Sequence, residues 1–407
     1  MTTAPRDTTT RIVHPEVREL GDFRTLTTPI HHASTVVFPS VADMRSRIWE
    51  RDDIFTYGLQ GTPTTRVLEQ QLAMIEGAEH CLLAPSGLSA ITIVDLALLK
   101  SGEQVLMPEN VYHPSREFAT RVLGGFGVQA AFYDPLDPSD LESRIGPSTR
   151  LVWLESPGSV TMEVPDLVAM LAIVARINAG RSPESHITTA IDNTWSAGLG
   201  LNPFEFGIDI SMQALTKYQS GGSDVLMGAL LTRDRALHTT LKFTHMRLGL
   251  GVGPDDAYLV LRGLKSMAAR FALHDASARQ RADWCADQPE VAAVLHPALP
   301  SCPGHAFWKR DFSSAGGLFS IVLDARFSEA QVEAFVESLA LFPLGYSWGG
   351  ASSLSMVYAA GRTSTLGAAA GMLVRLNVGL EAVADLQADL EQAFSRLRAA
   401  PTAASSP

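Results

Sequence analysis

From about His80 to Thr232 the chain alternates short apolar runs with stretches of helical period. The strand-like runs are Cys81–Ala84, Gln104–Met107, Val128–Tyr133, Leu151–Leu154, Ile187–Ile191, Ile208–Leu215 and Val225–Leu231. Helix-like stretches such as Leu88–Lys100 and Pro165–Asn178 lie between the earlier ones. Repeated strand–helix units of this kind predict an α/β fold with a large, doubly wound, mainly parallel sheet. Pro254–Gln288 then reads as one long helix, opened by Pro254 and the acids Asp255 and Asp256. Beyond it, strands near Gly317–Leu323 and Met372–Gly379 alternate with helices near Ser328–Leu341 and Glu381–Arg398, which predicts a smaller C-terminal α/β domain. The expected division is a tail and arm over 1–65, a large domain over 66–262 and a small domain over 263–407. Within the first region, Val13–Thr65 has few long periodic elements. Met1–Ile12 and Ala400–Pro407 are Thr-, Ser-, Ala- and Pro-rich tails, expected to be disordered.

Composition narrows the functional classes. The 407 residues are long for one domain and suit one large plus one smaller. A formal net charge of −11 with no basic run argues against nucleic-acid or anionic-membrane partners. Cys81, Cys285 and Cys302 are far apart, with no metal-ligand spacing, so neither a disulfide framework nor a zinc site is expected. The N-terminal stretch lacks a signal-peptide core, and no run approaches the roughly 20 apolar residues of a membrane helix. A cytoplasmic protein is expected.

Three strand ends finish in reactive residues, where open α/β sheets bind ligands. One ends at Asp192-Asn193-Thr194-Trp195, one at Thr216-Lys217-Tyr218, and one at Ser86-Gly87-Leu88, which opens a helix. A desolvated Lys217 is an amine nucleophile for a carbonyl cofactor. A buried carboxylate such as Asp192 keeps a pyridine nitrogen protonated. Backbone N–H groups at Ser86–Leu88 suit a phosphate. Taken singly, such a lysine is most often a solvated surface residue, an Asp-Asn pair a turn, and a Ser-Gly a helix cap.

The segments Leu151-Val-Trp-Leu-Glu-Ser-Pro-Gly-Ser-Val-Thr-Met-Glu-Val164, Ile191-Asp-Asn-Thr-Trp195 and Gln213-Ala-Leu-Thr-Lys-Tyr218 resemble the cysteine/methionine-metabolism family of pyridoxal-phosphate enzymes. So do Tyr57-Gly58, Tyr346-Ser-Trp-Gly-Gly350 and Val374-Arg-Leu-Asn-Val-Gly-Leu-Glu381. Within the family the chain most resembles the cystathionine β-lyases, with motifs in order from Leu26 to Leu397. The resemblance implies a fold-type I enzyme, a homotetramer of two active dimers, and pyridoxal 5'-phosphate as cofactor. It implies that Lys217 is the Schiff-base lysine, Asp192 the partner of the ring nitrogen, and Tyr112 the tyrosine stacked on the ring. Gly87, Leu88 and Thr216 match phosphate donors, and Tyr57 a catalytic-site tyrosine that reaches the phosphate of a neighbouring subunit. Arg375 matches the arginine for the substrate carboxylate, with Ser347 and Trp348 beside the substrate. Three positions depart from the family. Leu59, followed by Gln60, stands where a phosphate-binding arginine is usual. Ala214 replaces a serine, and Ala351–Met372 does not follow the lyases just before Arg375.

The activity implied is β-elimination from a sulfur amino acid, L-cystathionine first among them, giving homocysteine, pyruvate and ammonia. A γ-acting relative, a lyase for another cysteine conjugate, and a catalytically silent regulatory protein are the alternatives. Glu155-Ser-Pro-Gly-Ser159 and Ser347-Trp-Gly-Gly350 are the β-lyase forms of their motifs, which favours the first reading.

Overall fold

The structure, a computed structural model, describes residues 7–13, 25–51, 54–358 and 371–399. Seven strands form the large sheet: β1 (His80–Ala84), β2 (Gln104–Pro108), β3 (Gln129–Tyr133), β4 (Thr149–Glu155), β5 (Thr188–Asp192), β6 (Ile210–Ala214) and β7 (Gly228–Thr232). Their order is β1-β7-β6-β5-β4-β2-β3. The β3–β2–β4–β5–β6 block is parallel. Its central strands are apolar on both faces because helices cover both, as in Leu151–Leu154, all buried. The expectation of a mainly parallel sheet holds, with one difference. β7, read as one more member of the series, runs antiparallel to both β6 and β1. No helix lies between β6 and β7, so the chain lacks the crossover that a parallel partner needs.

The smaller sheet is wholly antiparallel, with β8 (Val291–Leu295), β9 (Leu318–Leu323), β10 (Leu354–Tyr358) and β11 (Leu373–Asn377) in the order β10-β11-β9-β8. Two of these strands, β8 and β10, were not expected. β10 is five residues long, mostly half-buried, and sits within the Ala-, Gly- and Ser-rich segment, of which 359–370 lie outside the described residues.

One helix, Pro254–Ala286, serves both sheets. At 1.5 Å per residue its 33 residues span about 50 Å. Its first half buries Val260, Leu264 and Phe271 with Tyr218 and Met227 of the large core. Its second half buries Ala278, Ala282 and Cys285 with Phe319 and Phe394 of the small one. The division expected at 262/263 falls inside this helix.

Of the N-terminal tail expected to be disordered, 1–6 lie outside the described residues, and 7–12 are ordered instead. Thr8–Val13 is a helix, capped where Thr9 N–H donates to Asp7 Oδ1 at 2.8 Å, and Ile12 is only 1% exposed. Ile12 packs with Leu68 and Leu72, and that burial orders a segment whose composition suggested disorder. The other expected tail, 400–407, lies outside the described residues.

Candidate active site

The carboxyl ends of β1, β4, β5 and β6 open onto one cleft, closed on its other side by Leu318 and Arg375 of the small sheet and by Tyr346 and Trp348 of the loop before β10. Its volume is about 210 Å³, several times what a single water needs. Gly87, Leu88, Tyr112, Asp192, Thr216, Lys217, Trp348 and Arg375 all line it, although they are scattered over nearly 290 residues of sequence. Ser347 joins them through Lys217, whose Nζ donates to Ser347 Oγ at 3.0 Å.

Lys217 follows β6 in a tight turn. The adjoining Tyr218 is fully buried, and its hydroxyl accepts the N–H of Gly317 at 2.6 Å. The Lys217 amine lies 5.1 Å from the centre of the Trp348 ring. Burial, aided by the nearby Arg375 guanidinium, lowers its pKa to about 8, while Asp192 opposes the shift. About a tenth of the amine is therefore neutral at pH 7, far more than at an ordinary lysine, and it is the neutral form that a nucleophile or base requires.

Asp192 ends β5 and accepts the N–H of Thr194 at 3.0 Å. Burial raises its carboxyl pKa, opposed by the Thr194 bonds and by Lys217. Beneath it lies a polar network that the sequence did not reveal. Glu76, the last residue of the Pro63–Glu76 helix, is 1% exposed. Its Oε1 accepts from Asn193 Nδ2 at 2.6 Å and from Gln213 Nε2, and Gln219 in turn donates to Gln213. Asn193 adjoins Asp192, while Gln213 and Gln219 flank Lys217 in the chain. One buried carboxyl thus ties together the two loops that carry the reactive groups. Burial raises its pKa to about 7.

The Gly87–Leu98 helix points its N-terminus into the cleft, with Ser86 as its cap, accepting Ser89 N–H at 3.0 Å. Backbone packing there leaves no room for side chains. A Cβ on Gly87 would stand 2.8 Å from Ala214 Cβ, and one on Gly228 would stand 2.3 Å from the Ser86 carbonyl oxygen. The Thr216 hydroxyl faces the same corner and exchanges hydrogen bonds with the Met227 backbone. Tyr112 borders the cleft opposite, held where its N–H donates to Glu155 Oε2 at 2.7 Å.

Arg375 is 8% exposed in β11, with Nη2 donating to the Tyr346 carbonyl at 3.1 Å and its guanidinium 5.5 Å from the Tyr358 ring. Two residues on, Asn377 accepts Gly349 N–H at 2.9 Å and donates to the Ser352 carbonyl at 3.1 Å. Alternate residues share one face of a strand, so Asn377 pins the loop bearing Tyr346, Ser347 and Trp348 beside Arg375. Opposite, Val160 adopts φ 69°, a rare state for a β-branched residue, and its carbonyl accepts Ser320 Oγ at 2.7 Å from the small sheet. Glu76, Asn377 and Val160 were missed because their partners are remote in sequence. A buried acid ending an apolar helix face was the one signal available for Glu76.

Tyr57 is not brought into this cleft. It is 49% exposed on the arm and bridges to Thr35, with Leu59 and Gln60 in the short 3-10 turn that follows. Gly58 is required there, because a Cβ would stand 1.8 Å from the Ala33 carbonyl oxygen.

The donor set fits pyridoxal phosphate: an amine of lowered pKa, a buried carboxyl, and a helix N-terminus with no room for a side chain beside its first turn. The family model for Cys/Met-metabolism PLP-dependent enzymes matches residues 9–395. The cystathionine beta-lyase of Salmonella typhimurium is 39% identical, over 90% of this chain and 93% of its own. That of Escherichia coli is also 39% identical, over the same shares. A solved structure of cystathionine gamma synthase from Xanthomonas oryzae pv. oryzae, in complex with aminoacrylate and cysteine, superposes with a TM-score of 0.87. It is 29% identical and covers 97% of this chain and 100% of that one.

Proposed function

This chain belongs to the Cys/Met-metabolism family of pyridoxal-phosphate-dependent enzymes, and from that premise we propose that it is a carbon–sulfur β-lyase of L-amino-acid thioethers. The observation that carries the reading is the convergence of Lys217, Asp192 and Arg375 on one cleft. L-Cystathionine is the substrate that the relatives' names support, with homocysteine, pyruvate and ammonia as products.

Bound in the cleft, pyridoxal phosphate supplies an electron sink that makes the substrate's Cα proton acidic. Lys217 would hold the cofactor covalently and, once displaced by the substrate's own amine, would take the Cα proton with its freed neutral amine. Asp192 would hold a proton on the ring nitrogen, the N–H groups of Gly87 and Leu88 with the Thr216 hydroxyl would bind the phosphate, and Tyr112 would face the ring. Arg375 grips the substrate carboxylate with its planar fork, while Ser347 and Trp348 bound the substrate.

The working unit is a homotetramer of two active dimers, in which Tyr57 of one copy reaches the phosphate of another. Its exposure and its separation from the cleft of its own chain support this. The three free, buried cysteines support a cytoplasmic setting. A large domain over 66–262 and a small one over 263–407 remain the working division. The test is product analysis with the holoenzyme: L-cystathionine should give pyruvate and homocysteine. Finding 2-oxobutyrate and cysteine instead would mean γ-elimination, and turnover of no thioether despite bound cofactor would mean a silent regulatory protein.

A further inference from the structure

We propose that the preferred substrate is a cysteine thioether whose sulfur substituent is uncharged, rather than one carrying a second amino-acid end. This deepens the β-lyase reading and rests on it. Among the described residues lining the cleft, the cations are Lys217 and Arg375, and the anions are Asp192 and Glu155. In the reaction proposed, Lys217 is committed to the cofactor and the proton transfer, and Arg375 to the α-carboxylate. The phosphate adds further negative charge.

The remaining lining carries no charge: apart from Ser86, Ser159, Thr194 and Thr216 it is apolar or aromatic. Leu226 is 70% exposed and Tyr346 81% exposed at the rim, with Val160, Met162 and Trp348 inside it. A far carboxylate there would meet no described cation of the lining and would lie in the field of Glu155. The Tyr57–Gln60 turn, proposed to reach the cleft of a second copy, carries no charge either. A propyl or benzyl group on sulfur would instead cover the Leu226, Val160 and Trp348 surfaces.

The reaction balances without any oxidant. The Cα–H and Cβ–S bonds break, the proton ends on the departing thiol, and water converts the remaining three-carbon unit to pyruvate and ammonium. The test compares kcat/KM of the holoenzyme for S-propyl-L-cysteine, S-(2-carboxyethyl)-L-cysteine and L-cystathionine, reading pyruvate and free thiol. S-Propyl-L-cysteine should exceed each of the other two by about tenfold or more, the ratio given by a difference of about 1.4 kcal/mol. Leu226→Arg should shift the ratio several-fold toward the carboxyethyl compound. Equal or higher kcat/KM for the charged substrates, or a ratio unmoved by Leu226→Arg, overturns the preference while the β-lyase reading stands. Pyruvate from none of the three overturns both.

Discussion

Lys217 and Ser347, 130 residues apart in the chain, meet across the cleft in a 3.0 Å hydrogen bond. The lysine belongs to the end of β6 in the large sheet, and the serine to the loop that Asn377 pins against β11 in the small one. The amine is thus positioned by both sheets, and a change in either alters its environment.

Lys217 should carry the cofactor. Borohydride reduction of the holoenzyme followed by peptide mapping should leave the label on Lys217; a label on Lys242 or Lys265 instead would refute the assignment. Burial lowers the Lys217 amine to a pKa of about 8, and only the neutral amine forms the bond. Uptake of pyridoxal phosphate by the apoprotein should accelerate as pH rises through about 8, because the inert ammonium prevails below it.

Gly87→Ala should weaken cofactor binding. The added methyl would stand 2.8 Å from Ala214 Cβ, forcing the helix N-terminus away from the corner it shapes. Loss of one or two charge-assisted bonds, about 1.5–3 kcal/mol each, lowers affinity by roughly tenfold or more. Adding Ala214→Gly should recover part of it, measured by cofactor titration. Equal affinity of Gly87→Ala and the parent would remove the glycine's assigned importance.

Arg375→Leu should raise KM for every L-amino-acid substrate. A charge-assisted contact worth about 2–3 kcal/mol corresponds to roughly 30- to 160-fold in kcat/KM. Arg375→Lys should fall between the two, keeping the charge and losing the fork. Unchanged KM in Arg375→Leu would exclude the carboxylate role.

Glu76→Gln should alter the pH dependence of stability. Burial raises the Glu76 carboxyl from 4.5 to about 7, so the folded chain holds this proton more tightly than the unfolded one. The parent therefore loses stability as pH climbs from 4.5 to 7, and the loss is complete above 7. Glutamine keeps an acceptor for Asn193 and Gln213 and has no such titration. The Tm of the variant relative to the parent should rise across that window. Parallel curves would show that Glu76 does not titrate there.

Three of the groups that line the cleft were legible from local sequence, whereas Tyr112, Thr216 and Arg375 were named only by the family resemblance. Lys217 and Asp192 follow apolar runs that end parallel strands, and Gly87 follows a capping serine at a helix start. The supporting groups were not. Asn193 meets Glu76 across 117 residues of sequence, and Asn377 meets Gly349 across 28, contacts that only the fold creates. The direction of β7 was hidden for a related reason, since an apolar run looks the same whichever way it travels. Ile12 lies among threonines and polar residues, and its burial depends on a groove near Leu68 that its own segment does not announce.

The Pro254–Ala286 helix has a consequence for how the molecule comes apart. Its two halves are embedded in different cores, yet its backbone hydrogen bonds run without interruption between them. Melting either core strips half of the helix of its packing, and an isolated half-helix is marginal in water. The two cores are therefore coupled, and a calorimetric scan should show one cooperative endotherm for both, the small domain having no separate melting of its own.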